Sequence, residues 1–142
     1  MSTPSQEIDM SPGERARRAI AVPILAFLDA RPIDVTDATR GLELPPSSNA
    51  LNAVGGWHAG ALATALEVAA YLALVRDLAP NEEAITHAFT ASYVAPIPPN
   101  ATLEATGEVV RRGRSIAFVT SKLQADHLTV AIANVTKSIR ST

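Results

Sequence analysis

The sequence predicts an α+β domain in which one buried helix is followed by an antiparallel meander of strands. Three observations support this fold class. Residues 58–78 form the longest apolar stretch with a helical pattern. After this stretch the apolar period changes from about four residues to two, the period of strands. The strand-like segments that follow are joined by short turns, as neighbouring antiparallel strands are.

The first thirty residues predict a disordered segment and then a helix. Residues 1–10 are polar, and we expect them to be disordered, with residues 11–142 forming a single domain. Ser11 is a favourable N-cap and Pro12 a favourable first-turn residue, so a helix should follow them. Pro23 should kink or split this helix, because proline removes a backbone hydrogen bond.

The middle of the chain predicts one strand, one loop and the core helix. Residues 32–44 carry β-branched side chains in rough alternation and should form a first strand. Residues 45–56 are rich in Pro, Ser, Asn and Gly and should form a loop. The helix at 58–78 is apolar around most of its circumference, so it should be buried nearly all round. A sheet covers only one side of such a helix, and a second subunit is the economical cover for the other.

Four strand-like segments complete the chain. Gly113 marks a turn between the second and the third, and Asp126 with His127 marks a tight turn between the third and the fourth. The segments are 85–96, 102–112, 114–125 and 128–140, and the side chains of the first alternate between two sets with a period of two.

Composition and charge exclude several classes of function. A chain of 142 residues with 47 % hydrophobic residues can build one domain with a real core. The net charge of -2 provides no basic field for nucleic acid or an anionic membrane. Cysteine is absent, which excludes disulfides, thiolate metal sites and a cysteine nucleophile. The three histidines, His58, His87 and His127, lack metal-ligand spacing, so we expect no metal site.

The sequence lacks recognisable targeting signals. Its first residues show neither the basic start nor the apolar run of a secretory signal. The apolar stretch 19–30 is too short to span a bilayer and contains Pro23. A soluble, cytoplasmic protein is the default expectation.

The start of the core helix offers groups that can stabilise negative charge. A helix N-terminus has unpaired backbone N–H groups and a partial positive charge. Gly55, Gly56 and Gly60 permit a sharp turn and a close approach of a ligand. We expect the Ala59 amide to donate to an oxyanion. Asn52 lies near enough in the loop to add a side-chain donor or to position a water.

Glu67 is the one charged side chain between Ala59 and Val75. Its helical neighbours are mostly small, and none of them is a cation. A low dielectric should raise the pKa of such a carboxyl group, a cost that functional sites tolerate. Purely structural interpretations stay open. The glycines can form only a turn, His58 can cap the helix or be a buried imidazole, and Glu67 can face solvent or pair with an arginine.

The spacing of Ala59 and Glu67 predicts a site made by two chains. They lie eight residues apart, which is roughly 12 Å along a helix axis. An oxyanion donor and a base must each lie within about 3 Å of the reacting atoms. Two antiparallel copies of the helix, crossing near Ala63, would bring Ala59 of one chain opposite Glu67 of the other. The prediction is a two-fold homodimer with two composite sites.

The chain has the order Asn-x-x-Gly-x-x-His-x-Gly with Glu nine residues after the His, at Asn52, Gly55, His58, Gly60 and Glu67. This motif resembles that of the hotdog-fold acyl-CoA thioesterases of the PaaI-like group. The element order and the hairpin VVRRGRSIAFV are similar as well, over roughly residues 30–140. The resemblance implies a long helix wrapped by a curved antiparallel sheet, with dimers joined through a continuous sheet and often paired into tetramers.

The resemblance implies hydrolysis of an acyl- or aryl-CoA, with CoA as part of the substrate and no cofactor. It makes Glu67 the base or nucleophile and the Ala59 amide the oxyanion donor. Asn52 would orient the thioester or the water, and Thr86 would help place the water. The family usually has His-Gly-Gly where this chain has His-Ala-Gly. The donor is unharmed if Ala59 adopts ordinary helical angles.

The phosphates of CoA call for arginine or lysine. Residues 111–114, RRGR, form the one local cluster of three, so Arg111, Arg112 and Arg114 are predicted to bind the nucleotide. Lys137 and Arg140 are further candidates. The alternative is that a charged hairpin tip is simply solvated.

Two other functions on the same fold stay open. A hydroxyacyl-thioester dehydratase uses a His and a carboxylate, although its His normally stands in a Pro-rich, Phe-containing loop that is missing here. A non-catalytic acyl-CoA binder would explain Ala59 as a sign of lost chemistry. Four aromatic residues are candidates for shaping the acyl pocket and equally plausible as core: Trp57, Tyr71, Phe89 and Tyr93.

Overall fold

The computed structural model describes residues 11–141 as an antiparallel sheet packed on one long helix, with two short helices before it. The predicted disordered segment, residues 1–10, lies outside the described residues. The α+β prediction is confirmed. The helices are α1 (Pro12–Ile20), α2 (Pro23–Phe27) and α3 (Ala59–Leu74), and the strands are β1 (Arg31–Pro32), β2 (Leu42–Leu44), β3 (Glu82–Tyr93), β4 (Leu103–Arg112), β5 (Ile116–Ala125) and β6 (Leu128–Ser141).

The N-terminal helix begins and breaks where the sequence predicts. The Ser11 side chain accepts a hydrogen bond from the Glu14 amide. Pro23 splits the helix, since α2 begins at that residue. Buried Arg15 then anchors α1 by donating to three backbone carbonyls of the chain leading into β3, those of Ala79, Pro80 and Glu82.

The strand predicted over residues 32–44 is wrong over most of its length. Only its two ends pair as strands, in β1 and β2, and a 3-10 turn occupies Ala38–Arg40. The physical reason is that aspartate side chains compete with strand pairing for the backbone amides of neighbouring residues. The carboxylate of Asp34 accepts from the Thr36 amide, and that of Asp37 accepts from the Thr39 amide.

The sheet order is β1-β2-β4-β5-β6-β3. The meander prediction holds for β4, β5 and β6, whereas β3 pairs with β6 and not with β4. The turn between β5 and β6 places Asp126 and His127 in the left-handed region, at φ 48° and 66°. As the last strand of the sheet, β3 has one hydrogen-bonding edge without a strand partner among residues 11–141.

Helix α3 packs on one face of this sheet at very short distance. A Cβ added to Gly107 of β4 would lie 2.6 Å from the carbonyl oxygen of Ala69, so only glycine permits the approach. Buried Ser121 of β5 donates to the Leu66 carbonyl at 2.8 Å. Residues 59–77 are long and apolar enough to cross a membrane, but they form the core helix of the domain.

The sheet and the N-terminal helices leave one stripe of α3 uncovered. Ala59 and Gly60 are exposed, and Ala63, Thr64 and Glu67 are half-buried. The expectation of burial nearly all round is therefore not met within one chain. The buried positions of α3 are Ala61, Leu62, Ala65, Leu66, Val68, Ala69, Ala70, Leu72 and Leu74.

Gly107→Ala is expected to lower the free energy of unfolding by about 1–3 kcal/mol, because overpacking must push the helix from the sheet. The added methyl would meet both the Ala69 carbonyl and the Cβ of Ala73. Chemical denaturation measures the change. Gly13→Ala is the matched control, since its added Cβ has no neighbour nearer than 3.6 Å. Equal stability of Gly107→Ala and the wild type would contradict this packing.

Candidate active site

The loop before α3 is held together by Asn52. Its Oδ1 accepts from the amides of Val54 and Gly56, each at 3.0 Å, and its Nδ2 donates to the Trp57 carbonyl at 3.2 Å. Gly55 has φ 83°, a left-handed conformation that favours glycine. Asn52 thus shapes the approach to the helix, and its contact with a thioester or water stays a prediction.

His58 is the N-cap of α3. Its Nδ1 accepts from the Gly60 amide at 2.8 Å, so a neutral ring carries its proton on Nε2. A Cβ on residue 60 would lie 3.0 Å from that same Nδ1, and glycine leaves the imidazole room. Of the interpretations that the sequence left open for His58, the structure shows the cap.

The Ala59 amide is the free donor at the helix start. Ala59 is the first residue of α3, and its φ is not positive. Within residues 11–141 no group accepts a hydrogen bond from its N–H, whereas the next amide is taken by His58. The Ala59 carbonyl accepts from Oη of Tyr93 at 3.0 Å. The alanine in place of the usual glycine therefore keeps the donor, at an exposed residue of the helix.

Glu67 is held in a closed triangle of hydrogen bonds. Thr86 Oγ1 donates to its Oε1 at 2.6 Å, and Lys137 Nζ donates to the same oxygen at 2.8 Å. Lys137 Nζ also donates to Thr86 Oγ1 at 2.7 Å. The Lys137 side chain is only 2 % exposed and the Glu67 side chain 37 %. The ring of Tyr71 lies 5.5 Å from Nζ and adds a cation–π contact.

The expected upward shift in the pKa of Glu67 is wrong in its net direction. Burial does raise this pKa and is the largest single influence. The charge of Lys137, its hydrogen bond and that of Thr86 together outweigh burial, so the pKa lies below the usual glutamate value. The cation missing from the helix itself is supplied by β6. Glu67 is therefore an ionised carboxylate at neutral pH.

The contact of Lys137 with Glu67 is not among the predictions from the sequence. Lys137 lies between Val135 and Ile139 on the inward-facing positions of β6, both of which are buried. The sequence does contain a signal for this contact. Strand side chains alternate between faces, and Lys137 stands at a position where the alternation requires an apolar, inward-facing residue. The sequence instead makes Lys137 a further candidate for binding the nucleotide.

An open depression of about 300 Å³ lies over the carboxylate. A second one, of about 340 Å³, lies beside the helix start. Among residues 11–141 no cluster of His, Asp and Glu could hold a metal ion. The first depression is lined by Ala63, Thr64, Glu67 and Phe89, and the second mainly by Pro46, Leu51, Gly56, Trp57 and Pro99.

The arginine hairpin lies near the other end of α3. The guanidinium of Arg112 donates to the Asp77 carbonyl at 3.2 Å and to the Glu82 carboxylate at 2.5 Å. It also donates to the carbonyls of its own turn, so its predicted phosphate contact competes with bonds inside the fold. Arg111 and Arg114 are exposed.

The structure thus places the predicted site residues in three groups along α3. Glu67 and Thr86 are in direct contact at mid-helix, and Ala59 and Gly60 follow the His58 cap at the helix start. The third group is the arginine hairpin. Along the helix, roughly 12 Å separates the first two groups.

Comparison with known proteins places this arrangement in a family. Residues 47–138 match the family described as the acyl-CoA thioesterase N-terminal domain. This match spans both the helix start and the Glu67 triangle. A search of curated protein sequences returns no match.

Solved structures show the same fold. A Bacillus halodurans protein solved with CoA is 22 % identical at a TM-score of 0.73, covering 89 % of this chain and 82 % of its own. A Haemophilus influenzae thioesterase is 13 % identical at 0.74, covering 96 % and 93 %. A phenylacetic acid degradation-related protein of Ralstonia eutropha JMP134 is 25 % identical at 0.70, covering 89 % and 98 %. With the family match, these likenesses lead to one conclusion: the chain belongs to the acyl-CoA thioesterase N-terminal domain family and has the hotdog fold of thioesterases.

Proposed function

We propose that the protein hydrolyses an acyl- or aryl-CoA thioester to the free acid and CoA, as a member of the PaaI-like group. One observation carries this proposal. The uncovered stripe of α3 begins with a free backbone donor, the Ala59 amide, and continues to an ionised, part-exposed carboxylate, Glu67. A donor for an oxyanion and a base or nucleophile are the two groups that thioester hydrolysis requires.

The two groups meet in a homodimer. They lie too far apart along one helix to contact one carbonyl group, so each site needs the partner's α3. The free edge of β3 and the uncovered stripe support a two-fold pairing that extends the sheet and covers the helix. The small side chains at Gly60 and Ala63 permit a close crossing of the two helices. Pairing of dimers into a tetramer is part of the proposal.

The chemistry follows from these positions. The thioester oxygen accepts a hydrogen bond from the Ala59 amide at the positive end of α3. Glu67 of the partner subunit takes a proton from water as the water oxygen attacks the carbonyl carbon. The tetrahedral intermediate collapses, the C–S bond breaks, and CoA leaves as a thiolate that is then protonated. In the nucleophilic variant, the carboxylate attacks first, and water cleaves the resulting mixed anhydride.

The arginine hairpin is the proposed binding site of the CoA phosphates. Arg111 and Arg114 are the exposed arginines of the hairpin and suit the CoA phosphates, whereas the side chain of Arg112 is bonded within the fold. Thr86 supports the carboxylate, and Asn52 shapes the loop beside the thioester. We propose a cytoplasmic enzyme without a cofactor, since CoA belongs to the substrate.

Incubation of the pure protein with a panel of acyl-CoAs and a thiol reagent tests the function. Release of free CoA is the expected result. An enoyl chromophore without CoA release would indicate a dehydratase, and binding without turnover would indicate a sensor. The same panel identifies the preferred acyl group.

Mixing two inactive variants tests the composite site. Chains carrying Ala59→Pro and chains carrying Glu67→Gln, refolded together in equal amounts, should regain roughly a quarter of wild-type activity, because half of the dimers are mixed and each holds one complete site. Each variant refolded alone is the control and should stay inactive. If the mixture also stays inactive although both chains exchange into mixed dimers, the site is not shared between subunits.

A further inference from the structure

Lys137 is placed by the fold where an amine is costly unless it is fully paired. Its side chain is 2 % exposed, and burial of an ammonium is tolerated only with such partners. Nζ donates to Oε1 of Glu67 and to Oγ1 of Thr86, at 2.8 and 2.7 Å. Because Thr86 donates to the same Oε1, both donors converge on one oxygen of the carboxylate.

We propose that Lys137 is a positioning residue for the hydrolysis: it holds Oε1 of Glu67 so that Oε2 is the oxygen that acts on water or thioester. Within residues 11–141 no group donates a hydrogen bond to Oε2. Glu67 also lines the open depression beside Ala63 and Phe89. Oε1 accepts two hydrogen bonds and is therefore the weaker base and nucleophile. The assignment rests on the proposed thioesterase function.

Lys137 also keeps the carboxylate ionised to lower pH. Its charge and hydrogen bond hold the pKa of Glu67 below the usual value against the opposing effect of burial. The nearby His87 is hydrogen-bonded to Ser138. Ser138 follows Lys137 in β6, so its side chain lies on the opposite face of the sheet from the pair. The side chains that contact the pair are Tyr71 of α3 and Thr86 of β3, and Ala117 of β5 lies opposite Lys137 in the strand register.

The test is the pH dependence of kcat/KM in Lys137→Met. Removal of the cation should raise the pKa of Glu67, so the acidic limb of the profile should move up by about one pH unit or more. At alkaline pH the carboxylate is ionised again, so activity should recover in part, with Oε1 then held by Thr86 alone. A purely structural role would lower activity equally at every pH. Lys122→Met, on the exposed face of β5, is the matched control and should leave the profile unchanged.

A second readout does not depend on turnover. NMR titration of ¹³C-labelled glutamate, with Glu67 assigned by its absence in Glu67→Gln, should show the same upward shift in Lys137→Met. If that variant does not fold, Lys137→Gln keeps an N–H donor without the charge and gives the same comparison. An unmoved limb or an unmoved Glu67 titration overturns the role of Lys137. Wild-type turnover by Glu67→Gln instead overturns the proposed function and, with it, this inference.

Discussion

Glu67→Gln is expected to lower kcat for acyl-CoA hydrolysis by about 10²–10⁴-fold, the range for loss of a positioned base. The amide has the shape of the carboxylate but can neither take the proton of water nor attack the thioester. Its oxygen can still accept the hydrogen bonds of Thr86 and Lys137, so the variant should remain folded and dimeric. Steady-state release of CoA measures the loss of activity. Size-exclusion chromatography and circular dichroism measure whether the dimer and the fold are retained.

Glu108→Gln is the matched control for that variant. Glu108 is an exposed glutamate of β4, and the same charge is removed without contact to the site. It should retain wild-type turnover. Full activity in Glu67→Gln would remove the carboxylate from the mechanism.

Ala59→Pro should cost about 10²–10³-fold in kcat, the range measured when one oxyanion donor is removed. Proline deletes the backbone N–H at residue 59, and at the first position of a helix it is well tolerated. The residue before a proline must be extended, and His58 already is, at φ -72° and ψ 129°. The helix should therefore survive while the donor is lost.

Ala59→Gly tests the effect of the methyl group alone, because the backbone donor is kept. It restores the glycine found at this position in the resembling family and keeps the amide, so turnover should stay near or above the wild-type value. Both variants should keep the wild-type melting profile within a few degrees. Wild-type turnover by folded Ala59→Pro would place the oxyanion elsewhere than at the Ala59 amide.

Local sequence patterns predicted much of the fold. The apolar helix, the period-two strands and the turn at Asp126 and His127 were readable because each depends on contacts between residues close in sequence. The predicted first strand failed where Asp34 and Asp37 bond their own neighbouring threonines. Short polar side chains can outcompete a strand pattern in this way, and the pattern itself does not reveal it.

The candidate site likewise depends partly on local sequence and partly on long-range contacts. The sequence by itself singled out Ala59 and Glu67, because a helix start has free donors and a lone carboxylate in an apolar helix is costly. Only the tertiary structure decided the charge state of Glu67, because its cation lies 70 residues away on β6. The packing of β3 at the far edge, beside β6, likewise depends on long-range pairing. Pairings across such distances are set by how the whole sheet closes on the helix, which no local pattern encodes.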